Sequence, residues 1–245
     1  ESSEPNFDQL DYLNNLCRYV CQHTPDENEM REKYLEVINR EPQKRITRYA
    51  AGIMGGTGFA VFFGCNLRDA VIAFIVSVMI VAVGDWLAKR ESNLLVYNGI
   101  LAFISEVIII GALKMGIAEH PDRIMIGIVM LLISGLSTTN GIRDLLQRDF
   151  ISGFINIMNS FLGAAGIAFG IGLAIILFHE GYSDHFILNH SVPIQLLSCT
   201  VACTGFALWF KIRGKQVWYN SIGAFFTWAI YVAVYAVKPS NFLAT

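Results

Sequence analysis

The chain has 245 residues, of which 54% are hydrophobic and 16% charged, against about 25% charged in an average soluble domain. That composition excludes an ordinary soluble globular protein. A formal net charge of −2 without a basic tract argues against a nucleic-acid partner.

In chain order, residues 1–45 are polar and charged, with Leu10, Leu13, Leu16 and Val20 at helical spacing between Asp8, Arg31 and Lys33. They read as an N-terminal helical segment capping the cytoplasmic face. Cys17/Cys21 and Cys199/Cys203 fall four residues apart without a zinc-ligand pattern, and read as packing residues.

Charge then disappears over residues 49–67, 70–84, 124–142, 150–178, 186–210 and 216–237, and over 92–113 apart from Glu106. A hydrocarbon core about 30 Å thick needs roughly 20 apolar residues in a helix. Runs such as Val71-Ile72-Ala73-Phe74-Ile75-Val76 lack the alternation of a barrel strand. The fold expected is an all-α integral membrane protein, a helical bundle of about seven transmembrane helices.

Orientation follows from Lys and Arg, which cytoplasmic loops retain. With seven spans, one side carries fourteen of these residues, seven in the N-terminal segment and seven in Lys89/Arg90, Arg143/Arg148 and Lys211/Arg213/Lys215. The other side carries four: Arg68, Lys114, Arg123 and Lys238. The N-terminus is predicted to be cytoplasmic.

Thr57-Gly58-Phe59-Ala60-Val61-Phe62-Phe63 in the first span returns as Thr204-Gly205-Phe206-Ala207-Leu208-Trp209-Phe210 in the sixth, with five of seven positions identical. Five spans separate the copies, so they would cross in opposite directions as an inverted repeat. The organisation expected is a first five-helix module over 46–178, an extracytoplasmic loop over 179–192, and the first two helices of a second, inverted module over 193–245. A full second module would run roughly 80 residues beyond Thr245. The chain, opening on Glu1 without an initiator Met, reads as a fragment or a processed product.

Three segments carry candidate chemistry. Ser134, Ser137, Thr138, Thr139 and Asn140 stand between Gly135 and Gly141 at the end of the fourth span, followed by Arg143 and Asp144. This suits a broken helix lining a polar cavity, or a solvated loop with Gly141 as a helix C-cap. Asn156, Asn159 and Ser160 share one face of the fifth span, as ligand contacts or helix glue. Glu106 is the acidic residue deep in a span, where burial favours the neutral form and suits a proton-coupling group. His179, His185 and His190 with Glu180 and Asp184 fit no tight metal motif and read as a solvated loop; Asn189-His190-Ser191 matches a glycosylation sequon. No metal, cofactor or catalytic set is expected.

Thr139-Asn140-Gly141-Ile142-Arg143-Asp144 together with Arg148-Asp149-Phe150-Ile151-Ser152-Gly153 resembles the bacterial threonine/serine exporter family, which includes a succinate-exporter branch. The likeness covers residues 46–178 and, more loosely, 193–245. It implies an exporter in the bacterial inner membrane driven by the proton motive force, with Asn140, Arg143, Asp144, Asp149 and Gly153 as the carried-over positions. Ser134-Gly135 stands where members often have Pro-Gly, and only the tail of the family's soluble N-terminal domain is matched, by 1–45.

The function expected is a secondary transporter of threonine or serine, with succinate the alternative substrate. Ser134, Ser137, Thr138, Thr139, Asn140, Arg143, Asn156 and Asn159 would bind substrate, Arg143 holding its carboxylate, and Glu106 or Asp144 would carry the proton. The partners expected are the small-molecule substrate, protons, the lipid bilayer, and a second membrane subunit or further copies of the chain. A membrane scaffold dependent on a partner chain, or a seven-span receptor, are the competing readings.

Overall fold

The computed structural model describes residues 7–39, 44–91, 93–133, 135–178 and 191–237. Among them the regular elements are all helices: α1 (Phe7–His23), α2 (Glu27–Ile38), α3 (Arg45–Phe62), α4 (Leu67–Leu87), α5 (Leu94–Lys114), α6 (Pro121–Leu132), α7 (Gly135–Leu146), α8 (Phe150–Phe178), α9 (Val192–Trp209) and α10 (Lys215–Val237).

Local chemistry sets their ends. Asn66 and Asp69 form a reciprocal capping box that starts α4, Asn93 accepts the Leu95 N–H at 3.0 Å to start α5, and Pro121 opens α6. Gly64 and Gly116, at φ 100° and 69°, let the chain turn off α3 and α5 in left-handed conformation.

Five of these helices, α4, α5, α8, α9 and α10, are each long and apolar enough to cross a membrane. The fourth charge-free run is divided: α6 stops at Leu132, α7 starts at Gly135, and the two are inclined by 52°, together making a sixth candidate span. α3 is not among those helices on apolarity, because Arg45 and Arg48 open it and four glycines dilute it. The fold is thus an all-α membrane protein, with five or six long apolar spans and the less apolar α3 packed against α4, α6 and α9.

The bundle packs through small residues, as expected where lipid removes the usual apolar driving force between helices. α5 and α8 run parallel with backbones in contact: any side chain at Gly166 would collide with the Leu95 carbonyl, and any at Gly170 with the Gly99 carbonyl. α3 and α9 run antiparallel through Gly55, Gly58, Ala202 and Gly205. Larger side chains from α4, α5 and α6, including Ile72, Val76, Leu101, Ile109, Ile124 and Ile128, fill the space around Ala60.

At one end, loops α3–α4 and α5–α6 are knotted by polar groups. Asp69, fully buried, accepts the backbone N–H groups of Glu119 at 2.8 Å and His120 at 3.3 Å and lies 3.0 Å from His120 Nδ1. Arg68 pairs with Glu119 at 3.0 Å, and Arg123, buried, donates to the Gly64 carbonyl. At the other end, Arg48 pairs with Asp85 at 2.9 Å. The amphipathic α1 and α2 fold back on each other, with Tyr19 Oη donating to Glu29 at 2.7 Å. The start of α1 docks on the α9–α10 turn, where Asp8 meets Arg213 at 3.5 Å and the Phe7 and Phe210 rings meet edge to face.

Candidate functional site

The polar segment singled out in the sequence is a helical hairpin. α7 runs on through Arg143 and Asp144 to Leu146, so residues 140–146 are helix rather than solvated loop. Gly141 sits inside the helix and is no C-cap. Its role is close approach: a Cβ there would lie 3.0 Å from the Gly153 carbonyl oxygen, and one at Gly153 would lie 2.8 Å from the Gly141 oxygen. α7 and α8 therefore touch backbone to backbone just above their turn.

The turn has a defined geometry. Asp149 N–H donates to Asp144 O at 2.9 Å and Arg148 N–H to Leu145 O at 3.1 Å, the paired bonds of a Schellman motif. Arg148 holds the left-handed position at φ 66°, usually glycine's. Asp149 Oδ1 then accepts the Ser152 N–H at 3.2 Å and caps α8.

Inside this frame Asp144 Oδ2 accepts two side-chain hydrogen bonds, from Ser152 Oγ at 2.9 Å and Asn156 Nδ2 at 2.9 Å. Asp144 and Asn156 are both half-buried, and Asp144 Oδ1 takes no donor among the described residues. Ser160 Oγ donates to Asn156 O at 3.1 Å, extending the polar line along α8. Arg143, next to Asp144, is exposed and makes no ion pair among the described residues.

The other expected site residues divide. Ser137 is half-buried on α7; Thr138, Thr139 and Asn140 are exposed there, and Thr139 Oγ1 donates to the Gly135 carbonyl at 3.0 Å. Asn159 is exposed on α8 and is not drawn to Asp144. Ser134 lies outside the described residues, as does the histidine-bearing loop over 179–190. Glu106 is 1% exposed, whereas Asp144 and Asn156 are half-buried, and it follows Gly99, Ala102 and Phe103, which meet α8 at Gly170, at helical spacing on α5. Asn156 and Gly170 are roughly 20 Å apart along α8 at 1.5 Å per residue, so Glu106 and the hairpin form two separate polar positions.

Sequence reasoning passed over Ser152 as a site residue, although it lies in the quoted motif at the spacing that lets it face Asp144. It also passed over Asp69, whose signal was the Asn66-x-x-Asp69 capping spacing. Two charges of opposite sign on adjacent residues, an open carboxylate oxygen and nearby amide and hydroxyl groups can hold a small zwitterion or a carboxylate, the guanidinium in a forked pair.

Residues 1–178 match the family model described as "Putative threonine/serine exporter". The match reaches further toward the N-terminus than the sequence motif alone. The threonine/serine exporter of Corynebacterium glutamicum is 25% identical over 182 residues, covering 71% of this chain and 37% of that relative. The chain thus spans well under half the length of the curated relative. No solved structure matches. With the motif-bearing hairpin and the spans before it all inside the matched region, this chain belongs to the threonine/serine exporter family.

Proposed function

We propose that the chain forms part of a secondary transporter that exports threonine or serine across the bacterial inner membrane against an inward proton flow. Its family membership supports a transport role; the activity, the substrate, the coupling and the residues are our reading. The observation that carries it is the α7–α8 hairpin, where Asp144 is fixed by Ser152 and Asn156 beside Arg143, which makes no ion pair among the described residues.

In this reading the Asp144 Oδ1 oxygen receives the substrate ammonium and Arg143 its carboxylate. Asn156, oriented by Asp144, and the hydroxyls of Ser134, Ser137, Thr138 and Thr139 contact the rest, with Asn140 and Asn159 at the rim. A ligand carrying a hydroxyl suits a site rich in hydroxyl and amide groups, since each buried polar atom needs a partner. Glu106, enclosed between α5 and α8 away from the hairpin, carries the proton. Separating the proton from the substrate lets each bind on its own while sharing α8 as the mechanical link.

Charge supplies the energetic reason for a proton. A zwitterion gains nothing from the membrane potential, whereas an entering proton brings about 2.3 kcal/mol per 100 mV. The orientation that fits places the N-terminal segment and the α7–α8 turn on the cytoplasmic side, where Arg143 and Arg148 meet intracellular substrate.

Flux measured in proteoliposomes tests this. Threonine or serine efflux that rises with an imposed pH gradient is the expected result. Succinate movement driven by voltage alone would replace the amino-acid reading with a dicarboxylate one. Absence of flux for all three would sink the transport proposal for this chain.

A further inference from the structure

The α3–α9 contact obeys a rule that ordinary helix packing does not impose. Shifting α3 by 147 residues, from Arg45 to Val192, lands on α9 residue for residue and takes Phe62 to Trp209; both helices have 18 residues. The same shift takes Gly64, at φ 100°, onto Lys211, at φ 60°. The bonds that close the two helices move with it: Gly64 N–H to Val61 O and Cys65 N–H to Ala60 O become Lys211 N–H to Leu208 O and Ile212 N–H to Ala207 O, at 3.0, 3.1, 3.0 and 3.0 Å.

The contacts between the helices are reciprocal under that shift. A Cβ at Gly58 would meet Ala202 N at 2.9 Å; exchanging the partners gives Gly205 against Gly55, where a Cβ would meet Gly55 N at 2.5 Å. Phe59 and Phe206 exchange with each other, and their rings meet edge to face at 5.4 Å. Self-complementary contact of this kind is the signature of a two-fold axis. Because α3 and α9 run antiparallel, that axis is perpendicular to the helices and lies in the membrane plane.

The two ends of the crossing differ. At the Arg45 end of α3, Arg48 pairs with Asp85 at 2.9 Å and stands 5.7 Å from the Trp209 ring centre. The shift takes Arg48 to Gln195 and Asp85 to Val232, so the opposite end has no matching ion pair.

We propose that the α3–α9 crossing is a pivot on a two-fold pseudo-symmetry axis, about which the transporter rocks, with the Arg48–Asp85–Trp209 contact latching one end. The proposal rests on the transport reading above. Backbone contact through Gly55, Gly58, Ala202 and Gly205 makes the centre of the crossing smooth, and the large rings that span it, Phe59 and Phe206, lie close to the axis itself. A helix of this length reaches about 13 Å to either side of its centre, so a tilt of about 20° moves its ends by roughly 4 to 5 Å while the centre stays in contact.

Two cysteine pairs, placed in the chain with its five native cysteines replaced, separate pivot from ends. Phe59→Cys with Phe206→Cys marks the axis, and Arg48→Cys with Trp209→Cys marks the latched end. Bridging the axial pair with a short bifunctional thiol reagent is expected to keep at least half of the flux of the same unbridged protein. Bridging the end pair is expected to lower flux at least tenfold, with recovery once a cleavable bridge is reduced. Loss of flux on axial bridging, or full flux with the end pair bridged, overturns the pivot. If the unbridged proteins move no threonine, serine or succinate, the transport reading fails, and the pivot is still tested by spin labels at the same positions. One narrow axial distance with two populations at the end supports it; a single unchanging distance at both pairs overturns it.

Discussion

Asp144 is the residue on which the hairpin converges, because one of its oxygens is already committed to Ser152 and Asn156 while the other takes no donor among the described residues. Asp144→Asn keeps the size but removes the charge, and hydrogen bonds to a charged partner are worth about 1.5 to 3 kcal/mol. Threonine efflux by the variant should therefore fall roughly 10- to 100-fold with the melting temperature little changed, as read by initial rates and thermal unfolding in detergent. Asn156→Ala should cost less, since Ser152 still orients the carboxylate. Arg148 offers a prediction of opposite sign. It occupies a left-handed position at φ 66°, which costs a residue with a Cβ about 1 kcal/mol, so Arg148→Gly should stabilise the protein by about that amount in the same melt. At this scale the sequence was informative about residue type and silent about pairing. The stretch from Ser134 to Asp144 stood out by composition alone, but that Asp144 would take its bonds from Ser152 and Asn156 depends on a tight turn bringing α7 against α8.

The elements show why small residues recur along α8. Gly153, Gly166 and Gly170 face α7 and α5 at contacts where no side chain fits, and at Gly163 a Cβ would lie 3.1 Å from the Asn98 side chain. Gly170→Leu would drive a side chain into the Gly99 carbonyl, a backbone group that cannot turn aside, and overpacking of this kind costs about 3 kcal/mol or more. The expected result is loss of folded protein on detergent extraction, whereas Gly172→Leu, at a position with open space around it, should be tolerated. Helix boundaries were legible wherever charge or capping residues punctuate the chain, as at Asn66 and Asn93. The division between α6 and α7 was less so: the run from Ile124 to Ile142 has no charge to mark a stop, and Gly135 with its hydroxyl neighbours suggested a break without fixing its place. The break falls at the first of the two glycines, and the second became a contact point because α8 lies against it.

Across the whole molecule, Glu106 and the hairpin sit at different depths of one bundle, joined by α8. Coupling then predicts that Glu106→Gln retains threonine exchange between equal pools but loses acceleration by a pH gradient. Counterflow and pH-jump flux in the same proteoliposomes check this, and a variant still driven by the gradient would remove Glu106 from the proton path. Length and charge-free runs were enough to determine a helical membrane protein, because span length and apolarity are properties of local sequence answering to bilayer thickness, and the motif from Thr139 to Gly153 pointed to its family. Which small residues would meet, that Asp144 would hold Asn156 while Asn159 stayed apart, and that two similar helices would cross through reciprocal contacts were decided only by the tertiary structure. Those outcomes depend on approach distances between backbones far apart in the chain, which no single stretch of sequence encodes.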